Sequence, residues 1–474
     1  MPLPRQVERP ETFPALNGLR FLAALAIVIF HYAPRVENYS RVSAFLRNLI
    51  NQGPCAVGFF FILSGFVLAH RHLQSGKRTE SALDFYWARF ERLYPAYFLA
   101  FLLFLPVALQ RSASYSSYGF GGHHPFAVSA ILSCLMLQSW TPLAQAWNGP
   151  SWSLSVEAFM YFAFPLIGMR LARLSRFWVG AVLLVCWIVP CSVALVYVAG
   201  GIPEQIWRQY VTNNPLLWLP LFVMGICASR FVSSWKKLAP HRAKLVTLGA
   251  LLSLSFTALI WPHKWADVFV TDGIAPLLLL VIVCCTRTTG WPTRVLGGRF
   301  LAKLGEVSYV TYILQAPLWH YWQPMTNYLR HASLQTSPVP LWQFVLFVPF
   351  LIASSFAVQH FVEVPVRTLL RGWKQRTFSP IVQTFRTENR AAMAIAESIP
   401  APGHKRRATQ PACAFRQSVS ITLRGSRQRI SRLTPDRQSS HPVWLSFTNL
   451  GCAGRAQRAE DSVEGSGLLP RQML

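Results

Sequence analysis

A chain of 474 residues that is 52% hydrophobic and 14% aromatic, with only 13% charged residues, is too apolar for an ordinary soluble domain and reads as a polytopic membrane protein. Its net charge of +27 does not point to a nucleic-acid partner: 16 Lys/Arg against six Asp/Glu fall from Lys374 onward, and the rest lie mostly in short loops, where basic residues report membrane orientation. The nine cysteines stand mostly isolated inside apolar runs, without CxxC or Cys/His spacing, so neither a disulfide framework nor a metal site is expected.

Eleven apolar segments follow in order, at roughly 14–32, 55–70, 94–109, 126–140, 154–169, 177–199, 215–232, 243–261, 273–286, 304–322 and 341–361. The first is long, carries Arg20 and has no small-residue cleavage site after it, so it is expected to stay as a helix. The fourth, FAVSAILSCLMLQSW, is the weakest and runs into the Pro/Gly-containing stretch TPLAQAWNGPSW. If it dips in and returns, with the N-terminus inside, the cytoplasmic loops hold 21 Lys/Arg and the outer loops seven. If it crosses, the basic loops from Arg170 to Arg299 land outside, against the positive-inside rule. The expected fold is therefore an all-α integral-membrane bundle of about ten transmembrane helices plus one short re-entrant or interfacial segment, multi-pass in the inner (cytoplasmic) membrane. No fixed-period repeat is visible, which disfavours inverted-repeat transporter architectures. Residues 377–474 lack periodicity and are rich in Ser, Arg, Gln and Pro, so they read as a basic, disordered cytoplasmic tail.

Four clusters carry candidate chemistry. Arg20 and His31 are eleven positions apart in the first segment. That is nearly three helical turns, which puts both on one face with about 16 Å of rise between them. An ionisable residue at such depth is a functional candidate, although snorkelling to the two interfaces would also account for the pair. Arg89 and Arg92, at i and i+3, share a face and offer two planar forks for a phosphate or carboxylate; ordinary positive-inside residues would look the same. Glu157 follows the stretch NGPSWSLSVE, in which a capping-type serine precedes an apolar run. On a helix running from outside to inside it is expected near the outer end, at the depth of His31. There a carboxylate would raise the basicity of the imidazole and fix its tautomer, as a general base requires. The rival is a first-turn carboxylate favoured by the helix dipole. Ser308, Tyr309 and Tyr312 line one side of a helix in LGEVSYVTYILQAPL and are candidates for contact with a sugar or nucleotide, with aromatic packing as the alternative.

The stretches LNGLRFLAALAIVIFHY, GFFFILSGFVLAH, FYWARFERLYPAYF, WSLSVEAFMYF, LGEVSYVTYILQAPL and FVEVPVR, in this order over about residues 12–372, resemble the acyltransferase 3 family of integral-membrane acyltransferases. The resemblance implies transfer of an acyl group, often acetyl from acetyl-CoA, to a hydroxyl of a carbohydrate or related acceptor at or beyond the membrane. Acyl-CoA would be a co-substrate, with no bound cofactor. The matching positions are Arg20 and His31 for the family's first-helix pair, Arg89 and Arg92 for its arginine pair, and Glu157 for its WSLSVE carboxylate. On this reading Arg20, Arg89 and Arg92 hold the donor, and His31, oriented by Glu157, acts as general base or takes the acyl group itself. Two positions depart from the pattern: Asn17 stands where many members have Asp, and Gln315 where many have His, which leaves more of the burden on His31. The tail carries no Gly-Asp-Ser motif, so the resemblance is to the stand-alone form without an appended hydrolase-like domain. A polytopic transporter or flippase whose polar pathway is lined by Arg20, His31 and Glu157 is the reading from another class. Peptidoglycan, lipopolysaccharide, exopolysaccharide, a macrolide and a lipid-linked sugar all remain open as acceptors.

Overall fold

Apolar runs opened by proline become the helices of this protein: Pro14 begins α1 (Pro14–Tyr32) and Pro54 sits in the first turn of α3 (Gly53–His72), where a missing N–H costs nothing. The structure is a computed structural model that describes residues 13–73, 81–110, 125–198, 212–232, 248–249, 252, 269–287, 290–331, 333 and 338–377. A short α2 (Ala44–Ile50) precedes α3. After α3 come α4 (Ala82–Gln110), α5 (Pro125–Cys134), α6 (Trp152–Arg173), α7 (Arg176–Val198) and α8 (Pro215–Val232). Then follow α9 (Phe269–Arg287), α10 (Trp291–Leu296), α11 (Arg299–Leu329) and α12 (Leu341–Val358), the last continuing through a π-helical turn at Gln359–Glu363.

Among the described residues, seven helices are long and apolar enough to cross a membrane, and the apolar helix Gly273–Thr286 is shorter. The 31-residue α11 is not one of the seven. The segment expected at 243–261 and the tail expected over 377–474 lie outside the described residues, apart from positions 248, 249, 252 and 377.

Two backbone contacts organise the bundle. A Cβ on Gly65 of α3 would lie 2.0 Å from the carbonyl oxygen of Phe222 in α8, and one on Gly225 of α8 would lie 2.0 Å from that of Ile62. Glycine on both helices is what lets the backbones touch, the usual device where lipid supplies no hydrophobic drive to association. Similarly α11 meets α1 at Gly305, whose Cβ would fall 2.2 Å from the carbonyl oxygen of Asn17. Around the α3–α8 contact Ile62, Phe66, Phe164, Trp218 and Phe222 form a fully enclosed apolar centre.

The fourth segment does not cross. Its helix, α5, has ten residues, about 15 Å, which is half a hydrocarbon core. The chain turns back at Met136, whose φ of 57° lies in the left-handed region. Deep in the bundle this end is tied to α4 by Tyr97, whose hydroxyl donates to the Ser133 carbonyl, and by Tyr94, which donates to the Cys134 carbonyl at 3.2 Å. On the way back Trp147 reaches the beginning of the same segment. Its indole N–H donates to Ser129 Oγ at 2.9 Å, and its ring lies 4.5 Å from Phe101 and 5.5 Å from Phe126. The chain thus folds back along the segment without crossing, and its irregular backbone is tolerated because it is buried in protein.

Gly225→Val forces α3 and α8 apart, so the protein in detergent should lose about 1–3 kcal/mol of stability, the range for overpacking; an unchanged thermal transition would show that the two backbones do not touch. For the re-entrant segment, Gln145→Cys should react from outside with an impermeant thiol reagent above the level of the parent protein, and Ser175→Cys should not. The reverse pattern would mean that α5 crosses.

Candidate active site

Five helices send polar side chains into one cavity of about 390 Å³. Asn17 and Arg20 come from α1, Ser64, His70 and Arg71 from α3, and Arg89 and Arg92 from α4; α6 adds Ser153, Glu157 and Tyr161, and α11 adds Ser308, Tyr309 and Tyr312. Four arginines thus line the chamber against one carboxylate, which makes it a site for an anion. Arg89 lies over the rings of Phe85 and Tyr161, 5.6 and 5.8 Å from their centroids. Arg20 interacts electrostatically with Arg92, Glu157 and Glu363. Glu91, between the two arginines in sequence, does not neutralise them: it is buried and takes the Arg371 Nε at 2.7 Å.

The carboxylate of Glu157 accepts a hydrogen bond from Ser64 Oγ at 3.0 Å and one from the Tyr161 hydroxyl. It is therefore at the level of Arg20 and not beside His31, which corrects the expected pairing. The depths follow from α1 and α3. Gly53 packs on the side chain of Phe30, and Ser64 lies eleven residues along α3 from that point, about 16 Å, as Arg20 lies ten residues back along α1. Glu157 is deep because α6 begins deep. The irregular return from α5 delivers the chain to the middle of α11, where Asn148 Nδ2 donates to the Ile313 carbonyl at 2.9 Å and the Tyr312 hydroxyl donates to the Pro150 carbonyl at 2.8 Å. Pro317 has no N–H to give Ile313, so the Asn148 amide fills that vacancy. The serine expected to cap α6 makes no side-chain cap; Ser151 is instead approached by the Gln138 amide.

His31 stands above the chamber and is not part of its lining. Its Nδ1 lies 3.1 Å from Gln315 Oε1, and the Gln315 Nε2 donates to the Tyr312 carbonyl at 2.8 Å. Tyr312 joins the two levels. Its ring lines the chamber, 6.4 Å from that of Phe60, and its hydroxyl is held by Ser153 Oγ at 2.7 Å as well as by Pro150. Ser308 and Tyr309 also line the chamber, but their hydroxyls are committed, Ser308 to the Gly305 carbonyl at 2.8 Å and Tyr309 to the Leu93 carbonyl at 2.6 Å.

Sequence reasoning missed Ser64, Tyr161, His70 and Arg71. The signal for Tyr161 was its i+4 spacing from Glu157, and for Ser64 and Arg71 their seven-residue spacing on one face of an apolar helix. It also missed Glu363, buried at 6% exposure and ion-paired with Arg367. No group of three or more His, Cys, Asp or Glu able to hold a metal occurs among the described residues.

A family model described as an acyltransferase domain matches residues 13–360. Acyltransferase MdmB of Streptomyces mycarofaciens is 28% identical over 323 residues, 64% of this chain and 77% of that protein. The putative peptidoglycan O-acetyltransferase YrhL of Bacillus subtilis is 28% identical over 412 residues, 79% of this chain, and O-acetyltransferase OatA of Staphylococcus aureus is 23% identical over 393 residues, 78% of this chain. The match spans only 58% and 59% of the lengths of those two relatives. No solved structure matches.

Tyr312→Phe removes the hydroxyl shared by Ser153 and Pro150 but keeps the carbonyl that holds Gln315. Stability should fall by about 1–2 kcal/mol, the cost of buried groups left unpaired, read from thermal unfolding in detergent. No loss would show that this seam is not held by the hydroxyl.

Proposed function

Because the chain belongs to the acyltransferase 3 family, we propose that it moves an acyl group, acetyl in the first instance, from acyl-CoA to a hydroxyl of a carbohydrate or related acceptor at or across the inner membrane. The observation that carries this reading is the chamber in which Arg20, Arg71, Arg89 and Arg92 face one carboxylate, a charge balance suited to the phosphates of a nucleotide-bearing donor. The names of two relatives, a putative peptidoglycan O-acetyltransferase and an O-acetyltransferase, favour acetyl transfer to oxygen, and family membership favours an enzyme over a transporter.

On this reading Arg89 and Arg92 grip the phosphates from the cytoplasmic side, with Arg20 deeper along the chamber. Arg20 and His31 are about 16 Å apart along α1, so the long arm of the donor, not the acyl group, bridges the two levels and brings the thioester past Tyr312. The acceptor oxygen forms a bond to the thioester carbonyl carbon as His31 takes the hydroxyl proton. The C–S bond breaks, and the CoA thiolate leaves and recovers the proton. In a two-step route His31 itself receives the acyl group first. Glu157, held by Ser64 and Tyr161, serves the donor side by ordering the arginines around it.

Labelled acetyl-CoA supplied to membranes containing the protein should mark one extractable hydroxyl-bearing fraction, and His31→Ala should abolish the labelling. Arg89→Lys and Arg92→Lys keep the charge but lose the planar fork. Each should weaken binding of a non-hydrolysable acetyl-CoA analogue by about tenfold, ~1.4 kcal/mol, and the double variant by less than the sum. Unchanged affinity by isothermal titration would overturn the assignment of the chamber to acyl-CoA.

A further inference from the structure

We propose that Gln315 is a positioning residue that holds His31 as the Nδ1–H tautomer and so leaves the Nε2 lone pair as the reacting atom. The proposal rests on the reading of His31 as base or nucleophile, and deepens it.

The argument is one of donors and acceptors. A backbone carbonyl only accepts, so the group of Gln315 that lies 2.8 Å from the Tyr312 carbonyl is its NH2. That leaves the amide oxygen, which also only accepts, 3.1 Å from His31 Nδ1. Nδ1 must therefore carry a proton, and a neutral imidazole has only one N–H, so Nε2 is bare. Turning the amide over would set two carbonyl oxygens against each other. Gln315 is fully buried, so no water relieves that repulsion and the cost of a misplaced polar group is incurred in full.

The amide is held from behind as well. Gln315 lies in the α11 turn between Tyr312 and Pro317, and that turn is tied to the re-entrant return by the Asn148 bond to Ile313 and by the Tyr312 hydroxyl. The orientation of His31 is thus set by the same seam that sets the depth of α6. A histidine at position 315 would offer one donor and one acceptor in either order, and would not by itself choose the tautomer of His31.

A neutral amide orients without relaying. It has no lone pair basic enough to take the Nδ1 proton, so the proton that leaves the acceptor hydroxyl stays on Nε2. The C–O bond forms and the C–S bond breaks, and the same proton passes from Nε2 to the departing thiolate, restoring the starting tautomer. In the two-step route Nε2 is the atom acylated, and the Nδ1–H contact to Gln315 is kept throughout.

The test uses the full chain in lipid with ring-15N histidine, the His31 signals being assigned by their disappearance in His31→Ala. Wild-type protein should show neutral His31 with Nδ1 protonated, and Gln315→Leu should give a tautomer mixture. In turnover, Gln315→Leu should lower kcat at least tenfold with KM for acetyl-CoA unchanged. An Nε2–H tautomer in the wild-type spectrum overturns the proposal whatever the activities, and does not depend on a Gln315 variant folding. A correct wild-type tautomer with full turnover in Gln315→Leu overturns the positioning role, whereas full turnover in His31→Ala overturns the underlying reading of His31.

Discussion

The arrangement of the site depends on the seam that joins the chain between α5 and α6 to the middle of α11. Pro317 leaves the Ile313 carbonyl without a helical donor, and Asn148 supplies one; one residue earlier in the same helix, the Tyr312 hydroxyl bridges Ser153 and Pro150. Both bonds are buried, so both are strongly directional: a lost partner would leave an uncompensated polar group in an apolar interior. Their effect is to start α6 half-way through the bundle. Glu157 then arrives beside Ser64 and Arg20, and the α11 turn that receives the seam is the turn that carries Gln315 to His31.

Two kinds of polar work are thereby separated along one axis. The lower level concentrates charge, with four arginines and Glu157 around a single cavity. Such a cluster is costly to bury without counter-charge, and the protein supplies it locally: Glu157 hydrogen-bonded by Ser64 and Tyr161, and Glu363 turned inward by a π-helical turn and paired with Arg367. Glu91 is directed elsewhere, to Arg371, whose side chain is 61% exposed; that pair ties the end of the last helix to α4 and adds little stability. The upper level contains an imidazole and an amide instead of further charge, a setting in which hydrogen-bond geometry and not Coulomb attraction decides which nitrogen reacts.

Close helix contacts make the two levels rigid with respect to each other. Gly305 lets α11 lie directly on the Asn17 backbone of α1, so the helix that carries Ser308, Tyr309, Tyr312 and Gln315 cannot slide along the helix that carries Arg20 and His31. Asn17, where relatives of the resembled family often have Asp, lies at this contact and also lines the chamber. It thus combines a backbone packing role with a neutral side chain.

Much was legible along the chain because the information was local. Apolar runs located the helices; the weakness of 126–140, together with loop charge, identified a segment that turns back; and i, i+3 and i, i+11 spacings put Arg89 with Arg92 and Arg20 with His31 on shared helix faces. The side of α11 bearing Ser308, Tyr309 and Tyr312 was equally a matter of helical period. Tertiary structure alone decided how far one helix is shifted against another. Periodicity fixes rise and direction within a helix but carries no origin of depth, so Glu157 was assigned to the level of His31 when its helix begins some turns lower. For the same reason Gln315 read only as a missing base: its role lies in a contact with His31 across 284 positions of sequence, which no spacing along the chain encodes and which exists only because α11 meets α1 in one register, closely at Gly305.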